Sequence, residues 1–402
     1  MPPDSRTREP SFFRRAEAVR LTLPEAGLDA LLVTHPPNLR YLTGFDGSMG
    51  ALLLTASGGT LIVDGRYITV SRDRVSSSGE LRWLTVALAS RSLEEAIAET
   101  ISGAQVRAIG VEAAVMTLSR FERLTALLGA KPGGRTPAIR LIPSERAVER
   151  ARIVKDPGEI DTLRHAADML SAAAERALAV VEPGRTELEV AADIDALVRS
   201  VGFSRPAFET IVASGPNSAL PHAHPGPRRL AAGDSVVLDF GGVYDGYCVD
   251  LTRTVQLAPA TDAFMHAFEA VHAAHGAAIA AVRPGVKASF VDSAARQTLA
   301  ARGLGDAFVH GTGHGLGLEV HEEPRITKVG SAAMDEVLQP GMVFTVEPGA
   351  YIAGALGIRI EDDVVVTSQG CEVLTRVPID PVGYGRPAAR AGAAGGRGPA
   401  GD

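Results

Sequence analysis

The fold of this chain is most tightly constrained by two long apolar segments that flank Tyr244, Asp245 and Gly246. Both segments are rich in β-branched residues, and an Asp-Gly turn between such segments predicts a β-hairpin. Asp239 then faces position 250 or position 252, depending on which two residues form the turn. The two registers differ by two residues. Asp239 and Asp250 therefore lie on the same face in both registers, because the side chains of a strand alternate between faces.

Two carboxylates on one face of an apolar hairpin repel each other and require protons or cations between them. Two exposed, hydrated strand carboxylates are the alternative, which this hairpin alone does not exclude. A second segment, VFTVEPGAYIAGALGIRIEDDVVV, has the same character, since Glu347 and Glu361 lie in apolar stretches on either side of a turn centred on Gly354. Arg359, Glu361 and Asp363 share one face of its second arm. Together the two segments offer four carboxylates to a common partner.

A glycine-rich segment, VHGTGHGLGLEVHEEP, supplies His310, His314 and His321 as candidate partners of these acids. Glycines let the backbone approach a site closely, although a flexible loop with ordinary histidines is the alternative. The glycine spacing does not match G-x-G-x-x-G, which argues against a phosphate-binding loop. Four carboxylates and one imidazole are better suited to bind Mn²⁺ and similar divalent ions than to form a thiolate-type structural zinc site. Two such ions would neutralise the acids and activate water, which predicts metal-assisted hydrolysis.

The composition is that of a globular protein of more than one domain, with 402 residues, 46% of them hydrophobic and 22% charged. No apolar run reaches the length of a membrane span, and the polar N-terminus does not resemble a signal peptide. The only cysteines, Cys248 and Cys371, are too few for a disulfide framework. A cytoplasmic protein with no membrane partner is therefore predicted. The net charge of −7 argues against a nucleic-acid partner.

The first 150 residues predict an α/β domain, because strand-length apolar runs alternate with helical periodicity. Helices are expected at 11–25, just after Asp64 and at 118–128, and strands at 29–34, 51–55, 60–64, 107–112 and 139–143, with a turn-rich connector at 131–137.

Residues 151–384 predict an α+β domain in which helices are followed by a strand-rich half. One helix is expected to start at Pro157, with Asp156 as its cap and Glu159 three residues later. Further helices are expected after the capping box Thr186 to Glu189, at about 262–282 and at 289–302. Residues 385–402 consist almost entirely of Gly, Ala, Pro and Arg, which predicts a disordered tail.

Three strings, DFGGVYDGYCVDLTRT, HGTGHGLGLEVHEEP and TVEPGAYIAGALGIRIEDD, resemble in this order the metal-site motifs of the M24 metallopeptidases. PPNLRYLTGFDGS and VDGRY are similar to the N-terminal domain of creatinase and prolidase. The resemblance implies an α+β pita-bread catalytic domain preceded by an α/β creatinase/prolidase-type domain. It also implies a homodimer.

The resemblance further implies five ligands for two divalent metal ions, namely Asp239, Asp250, His314, Glu347 and Glu361. Asp250 and Glu361 would bridge the two ions. Mn²⁺ is the expected metal, with Co²⁺ and Zn²⁺ as alternatives.

The same resemblance assigns catalytic roles. His222, which follows Leu-Pro, matches the substrate-side histidine of the family better than His224 does, and His321 matches the histidine that binds the scissile carbonyl. Glu347 would also shuttle a proton to the leaving nitrogen. For each histidine outside the ligand set, a structural role beside the metals is the alternative.

Two residues are assigned to substrate binding by resemblance. His310 is similar to a histidine that lines the proline-side pocket, and Arg359 to an arginine that orients the outer acid or the substrate carboxylate.

The expected function is that of an Xaa-Pro aminopeptidase, which hydrolyses the bond before a penultimate proline in a peptide. An Xaa-Pro dipeptidase (prolidase), restricted to dipeptides, is the alternative. Creatinase lacks this set of metal ligands, and methionine aminopeptidases usually lack the N-terminal domain. A non-catalytic M24-like binding module is disfavoured because such modules typically lose ligands.

Overall fold

A computed structural model describes residues 11–129, 138–330 and 334–381 of the chain. The predicted connector at 131–137 and the predicted tail at 385–402 lie outside the described residues. The described residues divide into two compact units. The first consists of those within Met1–Thr162 with Gly315–Pro324 and Gln339–Val343, and the second of Leu163–His314, Arg325–Leu338 and those from Phe344 onward. The domain boundary near residue 150 stays a prediction.

Helices in the described part of the chain are, in order, α1 (Phe12–Thr22), α2 (Pro36–Thr43), α3 (Ile68–Ser77), α4 (Leu93–Gly103), α5 (Leu118–Leu128), α6 (Glu149–Arg152), α7 (Pro157–Ala179), α8 (Glu187–Ser200), α9 (Asp262–Ala281) and α10 (Ala288–Ala301). The strands are β1 (Ala30–Val33), β2 (Gly50–Thr55), β3 (Gly59–Val63), β4 (Leu84–Leu88), β5 (Ala108–Glu112), β6 (Arg140–Ser144), β7 (Arg205–Pro206), β8 (Ile211–Ser214), β9 (Ser235–Tyr244), β10 (Tyr247–Gln256), β11 (Gly313–Gly315), β12 (Glu322–Ile326), β13 (Val343–Val346), β14 (Gly349–Ile352), β15 (Leu356–Arg359), β16 (Asp362–Val366) and β17 (Cys371–Val373).

The first unit is built on a mixed sheet in the order β4-β3-β2-β1-β5-β6. Its two central strands, β1 and β2, are almost entirely apolar because both faces of the sheet are covered. Leu31 and Val33 of β1 belong to a core that includes residues of α1 and α2, whereas Ala30 and Leu32 belong to a core that includes residues of α4 and α5. This explains the continuous apolar runs, which a half-exposed strand would not show. The predicted α/β layering of this region is confirmed.

The second unit contains the two hairpins that the sequence predicts. In the β9–β10 hairpin Tyr244 pairs with Tyr247, so Asp245 and Gly246 form the turn, and both have positive φ. In the β14–β15 hairpin Ala350 pairs with Ile358, which centres the turn on Gly354 as predicted. β7 and β8 both pair with β9. β11, β13, β16 and β17 are consecutive neighbours in a further sheet.

Helix starts follow the predicted capping signals. Asp156 and Glu159 exchange reciprocal side-chain to backbone hydrogen bonds of 3.0 Å at the start of α7, and Thr186 and Glu189 do the same at the start of α8. The sequence reasoning missed α2, β4 and α4. Pro at the start of α2 and its length of only eight residues made this segment resemble a loop. None of the helices in the described ranges is both long and apolar enough to cross a membrane.

Candidate active site

The β9–β10 hairpin places the first two carboxylates on one face. Asp239 pairs with Thr252, and Asp250 pairs with Gly241. This is the second of the two predicted registers, and the shared face is confirmed. Asp239 is 9% exposed and Asp250 is 4% exposed. The alternative of two exposed, hydrated carboxylates is therefore wrong for this pair.

The β14–β15 hairpin brings the next two carboxylates to the first pair. Glu347 precedes β14 and Glu361 follows β15, so both lie at the open end of that hairpin. The Glu361 backbone N–H donates to the Thr252 carbonyl at 3.1 Å, and the Thr252 hydroxyl donates to Glu361 Oε2 at 2.6 Å. Thr252 was missed by the sequence reasoning. One of the two predicted registers already placed position 252 opposite Asp239, and this could have identified it.

His314 enters the same cluster from β11. Its Nε2 lies 3.4 Å from Glu347 Oε1. One potential ligand atom from each of Asp250, His314 and Glu361 lies within 4.8 Å of the other two. All three residues are buried, so the cluster is enclosed by protein.

The electrostatics of this cluster fit a cation site. Burial, followed by repulsion from neighbouring carboxylates, raises the pKa of both Asp250 and Glu361 well above the ordinary range. Burial also raises the pKa of Glu347 to about 8. Asp239 Oδ1 and Glu361 Oε1 are buried and have no hydrogen-bond partner. Acids that are buried, crowded and short of donors are what a bound divalent cation satisfies.

Arg359 is a buried cation that bonds directly to a carboxylate of this cluster. Its guanidinium donates to Asp239 Oδ2, to the Tyr351 hydroxyl at 2.8 Å, to the Thr252 hydroxyl at 3.2 Å and to the Pro221 carbonyl at 3.1 Å. Arg359 therefore contacts Asp239, one of the five predicted metal ligands.

His310 joins Arg359 through Tyr351. His310 Nδ1 lies 2.7 Å from the Gly311 carbonyl, which can only accept, so Nδ1 carries the proton and Nε2 accepts from the Tyr351 hydroxyl at 2.9 Å. Burial lowers the pKa of His310 to about 4, which keeps the ring neutral. Tyr351 was missed by the sequence reasoning. Its place in β14, four residues after Glu347, is the signal that could have found it.

The two remaining predicted residues, His222 and His321, differ in their surroundings, and so does His224, which was not predicted to take part. His222 is exposed, and it follows Pro221, whose carbonyl Arg359 binds. His222 is close enough to His310 to contribute, after burial, to the lowered pKa of His310. His224 is exposed and pairs with Glu209 at 2.8 Å. His321 is exposed and belongs to the first unit, whereas all five predicted metal ligands belong to the second.

A further buried group supports the backbone of Glu361 and was also missed. Arg253 donates to the Glu361 carbonyl at 2.6 Å and to Asp362 Oδ1 at 2.8 Å. His275 Nε2 lies 3.2 Å from the other oxygen of Asp362. Arg253, which follows Asp250 by three residues in the first string, was a possible signal, since a charged residue within a buried strand requires a partner.

Two family models match the chain. Residues 15–154 match the creatinase/prolidase N-terminal domain, and residues 161–368 match metallopeptidase family M24. Among curated relatives, a probable dipeptidase PepE of Mycobacterium tuberculosis is 37% identical over 372 residues, which cover 91% of this chain and 95% of that protein.

Solved structures resemble the chain over nearly its whole length. An Xaa-Pro dipeptidase from Bacillus anthracis superimposes with a TM-score of 0.85 at 32% identity, covering 92% of this chain and 99% of that one. An X-Pro aminopeptidase from Thermotoga maritima has a TM-score of 0.79 at 33% identity, covering 89% and 97%.

Proposed function

The chain belongs to metallopeptidase family M24, with a creatinase/prolidase N-terminal domain before the catalytic domain, and we propose that it is an Xaa-Pro dipeptidase. The predicted family and pita-bread fold are confirmed. The sequence led us to expect an aminopeptidase first and a dipeptidase second. The PepE relative and the Bacillus anthracis structure are both dipeptidases by name, and they support the second of these activities better than the first.

The observation that carries a hydrolytic function is the buried cluster of Asp250, His314 and Glu361, flanked by Asp239 and Glu347. We infer that these five residues hold two divalent ions, with Asp250 and Glu361 between them, and that Mn²⁺ is the native metal. Divalent cations in such a site supply Lewis acidity and lower the pKa of bound water. An intact set of candidate ligands argues against a non-catalytic binding module.

The protein residues supply proton transfer and orientation. The Glu347 carboxyl, whose pKa burial raises to about 8, is suited to hold and release a proton near neutral pH. Arg359 fixes Asp239, and Tyr351 fixes Arg359 relative to the neutral ring of His310. His222 and His321 are proposed to contact the substrate, with His321 donating to the scissile carbonyl as its charge develops. His310 is proposed to line the pocket of the proline ring.

The specificity for dipeptides requires a group that binds the substrate carboxylate. The guanidinium of Arg359 already has four protein acceptors. Another cation would therefore bind that carboxylate, and Arg359 would orient the outer acid.

A comparison of peptides tests the proposal. Protein loaded with Mn²⁺ is assayed on an Xaa-Pro dipeptide, on the same dipeptide with an amidated C-terminus, and on the tripeptide extended by one residue. We expect kcat/KM to fall about 100-fold or more for the last two, because each removes or displaces the free carboxylate. Equal or faster cleavage of the tripeptide would establish the aminopeptidase instead. Preference for Met-Ala over every Xaa-Pro peptide would overturn both.

Two further properties, the cellular location and the oligomeric state, are also proposed. Both cysteines are free thiols, which fits a cytoplasmic location. A homodimer is proposed from the family resemblance. Sedimentation of the Mn²⁺-loaded protein in analytical ultracentrifugation tests this, since a dimer has twice the mass of the chain.

A further inference from the structure

A buried glutamate at the start of α8 joins the two ends of the loop that carries His222. Glu187 Oε1 accepts from the Ser214 backbone N–H at 2.8 Å, from the Ser214 hydroxyl at 2.7 Å and from Asn217 Nδ2 at 3.0 Å. Glu187 Oε2 accepts from the Gly226 backbone N–H at 3.0 Å. Ser214 and Gly226 are twelve residues apart and enclose His222, so one side chain closes the base of this loop.

The bonding pattern requires a carboxylate. Glu187 is fully buried, and both of its oxygens receive neutral donors, so each must act as an acceptor. A glutamine would place an N–H₂ group against either Gly226 or Ser214, which leaves two donors facing each other. Arg228 orients the Ser214 hydroxyl toward Glu187, since it donates to that hydroxyl oxygen at 2.6 Å and pairs with Asp234.

The middle of the loop is held separately by β15. The Gly357 backbone N–H donates to the Ser218 hydroxyl at 2.8 Å, and Arg359 donates to the Pro221 carbonyl at 3.1 Å. A Cβ at position 357 would lie 1.8 Å from the Ser218 carbonyl oxygen, so the loop and the strand are in close contact there. With its base held by Glu187 and its middle by β15, the loop presents His222 from a defined backbone position.

We propose that Glu187 is a positioning residue for the peptidase reaction, acting through the backbone of residues 214–226 on His222. The proposal rests on the proposed function, in which His222 contacts the substrate. The carboxylate of Glu187 bonds Ser214, Asn217 and Gly226 rather than a predicted metal ligand, so its loss changes catalysis only as far as His222 is displaced.

The experiment uses full-length, Mn²⁺-loaded protein and four variants: Glu187→Gln, His222→Ala, the double variant, and Glu189→Gln as matched control. Glu189 lies two residues further along α8, where it is exposed and its carboxylate accepts from the backbone N–H of its capping partner Thr186. We expect Glu187→Gln to lower kcat/KM by about tenfold or more, since hydrogen bonds to a buried charge are lost. Metal content should stay at the wild-type value, and Glu189→Gln should keep wild-type kcat/KM.

The double variant separates positioning from general damage. If Glu187 acts through His222, Glu187→Gln causes no further loss in the His222→Ala background. An equal loss in both backgrounds would overturn the proposal. Should Glu187→Gln fail to fold, Asn217→Ala replaces it, because this substitution removes one donor to the Glu187 carboxylate and leaves three others. A smaller loss of kcat/KM is then expected, again only when His222 is present. An unchanged kcat/KM in Asn217→Ala would overturn the proposal.

Hydrogen exchange distinguishes this proposal from the proposed function. In Glu187→Gln the amides of Ser214 and Gly226 should exchange faster than in wild type, and in Glu189→Gln they should not. Unchanged exchange at both amides would overturn the positioning role, whatever the substrate. Absence of cleavage of every Xaa-Pro peptide by wild type would instead overturn the proposed function.

Discussion

At the scale of single residues, the buried charges of the site differ in how completely the protein satisfies them. Arg359 has four protein acceptors, whereas Asp239 Oδ1 and Glu361 Oε1 have no donor. A guanidinium with four protein acceptors orients its neighbours, and an unsatisfied carboxylate oxygen is available to a cation. Residue types alone predicted the acids, but this difference in saturation depends on contacts between segments more than 100 residues apart.

The two histidines of the Pro-His-Ala-His segment give a residue-scale prediction. His222→Ala should lower kcat by about 100-fold, as expected for a lost transition-state contact, with metal content unchanged. His224→Ala is the matched control, because the exposed ring of His224 pairs with the exposed Glu209, and such a pair contributes little. Steady-state kinetics on an Xaa-Pro dipeptide provides the measurement. A dispensable His222 beside an essential His224 would show that the assignment within the pair is reversed.

At the scale of elements, much of the site could be predicted from the sequence because hairpins are local. The Asp245-Gly246 turn fixes the parity of Asp239 and Asp250, and Gly354 does the same for the arms before and after it. One contact of the site could not be predicted in this way. The bond from Tyr351 to His310 joins separate strands and loops, and no periodicity within either segment encodes such a contact.

The glycines beside His314 give a prediction about an element. A Cβ at position 313 would lie 1.8 Å from the Thr345 carbonyl oxygen, so Gly313→Ala must move β11 away from β13. We expect His314 to be displaced, bound metal to fall well below the wild-type ratio, and the free energy of unfolding to drop by about 1–3 kcal/mol. Metal analysis and denaturant titration measure these effects.

Gly276→Ala is the control for that substitution. Gly276 is an exposed residue of α9 with no atom within 4 Å of an added Cβ. Alanine there should raise the free energy of unfolding by about 0.5–1 kcal/mol through helix propensity. Gly313→Ala protein with wild-type metal content and stability would show that β11 tolerates the shift.

At the scale of the whole molecule, the division into units was only partly accessible from the sequence. Linear patterns predicted 1–150 and 151–384 as successive domains, whereas Gly315–Pro324 groups with the first unit. Glu322 bonds Lys155 at 2.6 Å and also pairs with Arg152, and Glu323 pairs with Arg146. These ion pairs join residues that are about 170 positions apart, so the patterns of either segment alone do not reveal them.

The carboxylate cluster also links folding of the whole molecule to pH and cations. Burial raises the pKa of Glu347 from its ordinary value of 4.5 to about 8 in the folded protein, and the pKa values of Asp250 and Glu361 are also raised. Between these limits the folded protein binds more protons than the unfolded chain. Its free energy of unfolding therefore falls as pH rises, by about 1.4 kcal/mol per pH unit for each such group. Bound cations pair with the ionised carboxylates and offset that loss.

We therefore predict that the Tm difference between Mn²⁺-loaded and chelator-treated protein grows as pH rises from 5.5 to 8, because protons compete with the cation at low pH. Calorimetry of both forms at each pH measures it, and the difference cancels titrations elsewhere, such as that of buried Glu159, whose pKa burial also raises. A Tm difference that shrinks towards pH 8 would contradict the assignment of these acids as metal ligands. A difference of zero throughout would mean that folding and cation binding are not coupled at this cluster.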